Sequence, residues 1–156
     1  MLSFFEWSET TLVGTTIRDS LWLFPVIEAF HLVAFAVLGG TILLVDLRLL
    51  GLVLKSQPVA RLAADARPWQ RGSLAVAILT GSLLFLSEPI KLYYNDPFWT
   101  KMSCLGLALL FSFTVKRRVT ADAERTGPFW GRLTGLLSLV LWSGVAWGGR
   151  WIGFWG

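Results

Sequence analysis

The sequence is poor in the side chains that soluble proteins use for chemistry and for solubility. Charged residues make up 15% of the 156, against roughly 25% in a typical soluble domain. Cys104 is the only cysteine, so an intrachain disulfide is excluded and no paired-cysteine zinc spacing exists. His31 is the only histidine, which excludes bis-histidine haem within one chain. No phosphate-cradling glycine loop, nucleophile elbow or dinucleotide fingerprint occurs, so hydrolase, kinase or dehydrogenase activity of the soluble type has no support. The first ten residues hold two acids and no base, so a cleavable secretory signal is not expected.

What is abundant is apolar surface. Hydrophobic residues reach 54% and aromatics 14%, with nine tryptophans, and the mean hydropathy is +0.62. Four runs are long enough to cross a hydrocarbon core of ~30 Å, which takes about 20 helical residues. They cover about 20–45, 72–90, 98–115 and 132–155. The runs are continuous, without period-two alternation, so helices are expected and not barrel strands. Asp19 or Ser20 is a candidate N-cap for the first span, and Pro25, past its first turn, is expected to bend it or to free a carbonyl near Leu21. The stretch 1–19 mixes Phe4, Phe5, Trp7 and Leu12 with polar residues and reads as a short interfacial helix. The expected fold is an all-α integral membrane four-helix bundle, one transmembrane domain over 1–156, preceded by that short helix.

Fourteen Lys and Arg against ten Asp and Glu give a net charge of +4. Ten of the fourteen fall in or beside two links, 48–71 and 116–132. This clustering accounts for the basic balance without nucleic acid, and the positive-inside bias puts both links in the cytoplasm and both termini in the periplasm. Trp22, Trp69, Trp99, Trp130, Trp151 and Trp155 fall near expected helix ends, at headgroup level, while Trp142 and Trp147 lie deeper.

Ionisable groups inside a span cost at least ~2.5–3.5 kcal/mol on insertion scales, so they are expected to face the bundle. Glu28 and His31 lie roughly 12 and 16 Å below the outer start of span one at ~1.5 Å per residue. Glu28 and Asp46, 18 residues apart, share one helical stripe, with Asp46 expected as an interfacial anchor beside Arg48. Small residues mark matching faces on the other spans, which carry Glu88, Lys101 and Arg150. These three are expected to converge with Glu28 and His31 in the outer half, as a closed set of ion pairs or as a polar wall around a ligand. His31 with Glu28 is the candidate metal pair, since Glu28-Ala-Phe-His31 matches the Glu-x-x-His unit of di-iron bundles. A complete site of that kind needs further carboxylates, which a homodimer could supply. Gly131-x-x-x-Gly135 and Gly144-x-x-x-Gly148 are helix-packing signals that point toward oligomers, and Cys104 reads as a small core residue.

The segments Trp22-Leu-Phe-Pro-Val-Ile-Glu28-Ala-Phe-His31, Leu44-Val-Asp46-Leu-Arg48-Leu-Leu-Gly51, Thr80-Gly-Ser-Leu-Leu-Phe-Leu-Ser-Glu88-Pro89, Lys101-Met102 and Gly149-Arg150-Trp-Ile-Gly153 together resemble an uncharacterised family of small bacterial four-span inner-membrane proteins. The likeness covers about residues 18–155. More distantly, the layout is similar to copper-resistance D-type proteins and b-type cytochrome bundles, where histidines on different helices hold haem. This chain departs from that pattern late in span three, reading Phe111-Ser-Phe-Thr114-Val-Lys116 without a histidine.

The leading expectation is a redox subunit of the bacterial inner membrane that binds haem b or a quinone in its outer half. His31 would ligate or hydrogen-bond the group, Glu28 would orient it, and Glu88, Lys101 and Arg150 would complete the wall. Two alternatives stay open: an oligomeric channel or carrier for protons, ions or small solutes, and a structural accessory subunit of a membrane complex.

Overall fold

The computed structural model describes residues 2–154, and of Glu124 the backbone alone. Among them are two short helices, α1 (Leu2–Glu9) and α2 (Leu12–Asp19), then the long α3 (Leu23–Leu49) and α4 (Val59–Ser87). The short α5 (Pro89–Tyr93) leads into α6 (Asp96–Phe111), a π-helical turn (Ser112–Lys116), α7 (Arg117–Ala121), α8 (Ala123–Trp151) and a closing 3-10 turn (Ile152–Phe154). There is no strand among the described residues. Four segments, Leu23–Leu49, Val59–Ser87, Asp96–Ala121 and Arg125–Phe154, are long and apolar enough to cross a membrane. The polarity of the bundle agrees with lipid as its solvent. Phe30, Leu79, Leu110 and Val140 each lie more than half exposed on the outside, while Asp46, Ser87 and Ser138 are fully buried.

Each helix boundary has a local cause. Ser20 Oγ accepts from the Trp22 and Leu23 amides at 3.3 and 3.2 Å, so this expected cap does sit at the start of α3. Because the helix begins at Leu23, Pro25 falls within its first turn, where no helical N–H bond is lost. The expected bend therefore has no cause. α3 ends in a Schellman arrangement: Gly51, at φ 75°, donates to the Arg48 carbonyl, and Leu52 donates to that of Leu47. Asn95 caps α6 by accepting from the Phe98 amide at 3.0 Å and donates to the Ile152 carbonyl, tying both ends of the second hairpin together. Gly127, at φ 75° and ψ 166°, breaks α8 before Pro128, so that proline opens the long part of the helix instead of interrupting it.

Three boundaries differ from the sequence reading. The N-terminal region forms two helices instead of one, with Phe5 packed edge-on against Phe85 and Tyr93. Span two starts 13 residues earlier than expected, at Val59. Its basic first half is amphipathic and buries Leu62, Ala63 and Ala66 against Val45, Leu49 and Val119. Span three continues through the π-turn to Ala121. Trp155, expected at the membrane interface, lies outside the described residues.

The long helices pack as α4 on α3, α3 on α8, and α8 on α6. α4 and α6 do not pack along their length; they touch through the stacked rings of Phe85 and Phe98 at one end, and α4 meets the continuation α7 at the other, basic end. The bundle is thus a ring of four helices with one seam left largely open.

Candidate functional site

His31 projects from α3 toward α4, where its Nδ1 lies 2.9 Å from Thr80 Oγ1. The Thr80 hydroxyl donates its proton to the Val76 carbonyl at 2.7 Å. Its oxygen is therefore left to accept, so Nδ1 carries a proton and the neutral ring keeps its lone pair on Nε2. Gly81, the next residue of α4, lies beneath the ring: a Cβ there would stand 3.0 Å from His31 Cε1. A methyl at that position would push the imidazole away from Thr80. The Thr80-Gly81 pair thus provides both the hydrogen bond and the space for the ring.

Phe35, one turn along α3, joins His31 to Lys101. Its ring meets the imidazole edge-on with centroids 4.9 Å apart, and Lys101 Nζ lies 5.0 Å from the same ring centroid. The backbone and Cβ of Lys101 press on α8 at Gly148, where a Cβ would meet Lys101 N and Cα at 2.9–3.0 Å. Its Nζ reaches over Gly149. Lys101 makes no ion pair with any described residue. An ammonium and an imidazole acceptor thus share one aromatic ring inside the bundle, with no carboxylate among them.

A second polar cluster lies nearer the other end of α3. Asp46, 0% exposed, pairs with Lys116 Nζ at 2.5 Å, and Lys116 is 6% exposed. Ser138 of α8 closes the set: its Oγ donates to Asp46 Oδ2 at 2.7 Å and accepts from Lys116 Nζ at 3.0 Å. The π-turn adds a residue to the helical register before Lys116, and the side chain sits in the α3–α8 contact instead of at the bilayer surface. α8 comes close because Gly135 faces the Asp46 carbonyl at 3.0 Å from its ideal Cβ position.

The expected convergence of five ionisable residues does not form. Of them, the structure brings together His31 and Lys101. Glu28 is exposed on α3, without an ion pair or hydrogen bond among the described residues, because no helix covers that flank at its level. Glu88 pairs with Lys91 three residues on, at 3.2 Å and largely exposed. Arg150 is exposed and stacks over Phe154 at 4.6 Å. No group of three metal-ligating side chains exists among the described residues, so Glu28 and His31 find no further ligands among them. Asp46 is not an interfacial anchor beside Arg48. It is buried with Lys116, while Arg48 donates to the Gln57 and Lys55 carbonyls. Both Gly-x-x-x-Gly pairs are used inside the chain, Gly131 and Gly135 against α3, and Gly144 and Gly148 against Cys104 and Lys101 of α6.

Sequence reasoning missed Thr80, Phe35, Lys116 and Ser138. For Lys116 a signal existed: a buried acid on the apolar stripe of span one demands a cation from another helix.

Residues 4–155 match the family of unknown function DUF6644, and the chain belongs to that family. No curated protein and no solved structure matches it.

Proposed function

We propose that the protein is a redox subunit of the bacterial inner membrane, one transmembrane domain with both termini periplasmic, that holds a quinone head group between His31 and Lys101. The observation that carries this reading is the half-buried Lys101 ammonium, without a carboxylate partner among the described residues, on the same Phe35 ring that meets the His31 imidazole. An intramembrane cation without its own counter-charge is a functional group by default. The orientation is supported by the basic links at the α3–α4 and α7–α8 ends. The bacterial inner-membrane assignment follows the sequence resemblance described above.

The donor set favours a quinone over haem. Beside the imidazole, which lies between Gly81 and the Phe35 ring, the second polar group is Lys101, a hydrogen-bond donor and not an iron ligand. Met102, the other candidate axial ligand nearby, is 45% exposed on the outside of α6. A quinone supplies reversible two-electron, two-proton chemistry and presents two oxygens at opposite edges of a flat ring. Lys101 can donate to one oxygen and favour negative charge on it. His31 Nε2 can accept a hydroxyl proton at the other, with Thr80 holding the ring in the tautomer that makes this possible. Phe35 offers an apolar face between them.

The test is binding by the detergent-purified protein. Solvent extraction should release quinone, and a short-chain quinone analogue should bind. Lys101→Met should weaken the analogue at least ~10-fold, the loss of one charge-assisted hydrogen bond worth about 1.5–3 kcal/mol. His31→Leu should weaken it similarly. No quinone in the extract together with no response to the analogue overturns the reading.

A second reading, a carrier of protons or ions, is favoured by the separate buried set of Asp46, Lys116 and Ser138, which puts charge at two depths of the same interior. Proton flux into proteoliposomes that requires both Asp46 and His31 would favour it over quinone binding.

A further inference from the structure

The open seam between α4 and α6 contains a cavity of about 100 Å³ at the basic end of the bundle. It is separate from the His31 site, and its chemistry divides into three levels. At its mouth stand Arg67 and Arg71, one turn apart on α4, and Arg117 on α7. None of these guanidinium groups forms an ion pair or hydrogen bond with a described residue. Its wall is apolar, formed by Leu74 of α4, Leu109 of α6 and Phe113 of the π-turn. On its inner side lie Ser112 Oγ and Trp142 Nε1, both buried and both without a hydrogen-bond partner.

Each level states a requirement. Three unpaired guanidiniums in one mouth call for an anion with several acceptor oxygens, the geometry of a phosphate. A buried indole N–H left unsatisfied costs ~1–3 kcal/mol, so an acceptor oxygen is needed deeper in. The apolar wall opens sideways, since α4 and α6 touch only through Phe85 and Phe98 at the far end, and Phe113 is largely exposed there. We infer that this seam binds one anionic phospholipid from the leaflet at the basic end. Its phosphate lies among Arg67, Arg71 and Arg117, its ester oxygens accept from Ser112 and Trp142, and an acyl chain follows Leu74, Leu109 and Phe113. A free anion would leave the wall and the inner donors unused, and a neutral lipid would leave the arginines uncompensated. Basic pockets between spanning helices at the cytoplasmic side are the recurrent form of such sites.

The experiment counts lipid retained by the detergent-purified full chain. The protein is exposed to micelles doped with phosphatidylglycerol or with phosphatidylcholine and examined by native mass spectrometry. One phosphatidylglycerol should stay with each chain and phosphatidylcholine should not. Arg67→Gln with Arg71→Gln and Arg117→Gln should lower retention at least ~10-fold. Arg61→Gln with Arg118→Gln and Arg132→Gln removes the same charge outside the cavity and should leave retention within about twofold. Leu74→Trp, which narrows the wall without touching charge, should lower retention as well and covers the case in which the triple variant fails to fold. Equal retention of the two lipids, or equal losses in both triple variants, overturns the inference. So does protection from thermal unfolding by inorganic phosphate as strong as that by the lipid, because a free anion would then suffice.

Discussion

Lys101 and Lys116 are two ammonium groups on one spanning segment, about four turns apart, the first half-buried and the second buried, and their surroundings are opposite. Lys116 is enclosed by Asp46 and Ser138, each polar atom facing another. Lys101 has an aromatic ring and two glycines, with no acid in reach among the described residues. A paired buried charge satisfies itself and holds helices in register, whereas an unpaired one is left for something outside the chain. The difference separates a charge neutralised inside the chain from one left without a counter-charge, although composition treats both residues alike.

Breaking the paired end should have the largest effect. Asp46→Asn leaves Lys116 buried without its counter-charge, and unfolding in detergent should show a loss of about 3–5 kcal/mol. Asp46→Leu with Lys116→Met removes both charges and should recover most of that loss, since a buried pair replaced by apolar groups of similar volume is often neutral. If the double variant stays as unstable as the single one, the cluster does more than hold helices. At the unpaired end the sign reverses. Lys101→Met should leave stability unchanged or raise it, while lowering affinity for a quinone analogue at least ~10-fold. A destabilised Lys101→Met would show that the ammonium has an internal partner after all and would merge the two ends into one class.

Thr80→Val tests how the imidazole is held. The exchange keeps the shape and leaves His31 Nδ1–H without its acceptor at 2.9 Å. Stability should fall by about 1–2 kcal/mol, and the analogue should bind more weakly because the ring is free to turn. Thr80→Ser, which retains the hydroxyl, should restore binding. Failure of the serine variant to do so would mean that packing, and not the hydrogen bond, sets the ring.

The same contrast explains what could be read from the sequence. Four apolar runs of sufficient length declare four spans, because lipid demands continuous hydrophobicity. The first half of α4 was not legible: Arg61, Arg67 and Arg71 look like a loop until Leu62, Ala63 and Ala66 are seen to face α3. His31 stood out because an imidazole at mid-membrane has few structural excuses. Lys116 did not, since it opens a Lys-Arg-Arg run that reads as topological charge, and a count at 3.6 residues per turn cannot anticipate the π-turn that redirects it. The glycine pairs were legible as packing signals. Whether they serve this chain or a second copy depends on which helix lies opposite, and periodicity carries no such information.

Glu28→Gln should have the smallest effect, and it sharpens the comparison on a single helix. Glu28 and Asp46 are 18 residues apart, five full turns, so they occupy the same flank of α3. At Asp46 that flank is covered by α8, which approaches through Gly131 and Gly135. At Glu28 no described residue covers it, and the carboxylate stays exposed. Identical angular position therefore yields one buried and one solvated acid, and the neighbour decides which. Neutralising the exposed one should change stability by less than ~0.5 kcal/mol and leave affinity for the analogue unaltered, as read by unfolding and binding of the purified variant. A loss of binding would move Glu28 into the His31 site by way of a second subunit covering the bare flank, which is the one arrangement in which the Glu-x-x-His spacing would regain chemical meaning.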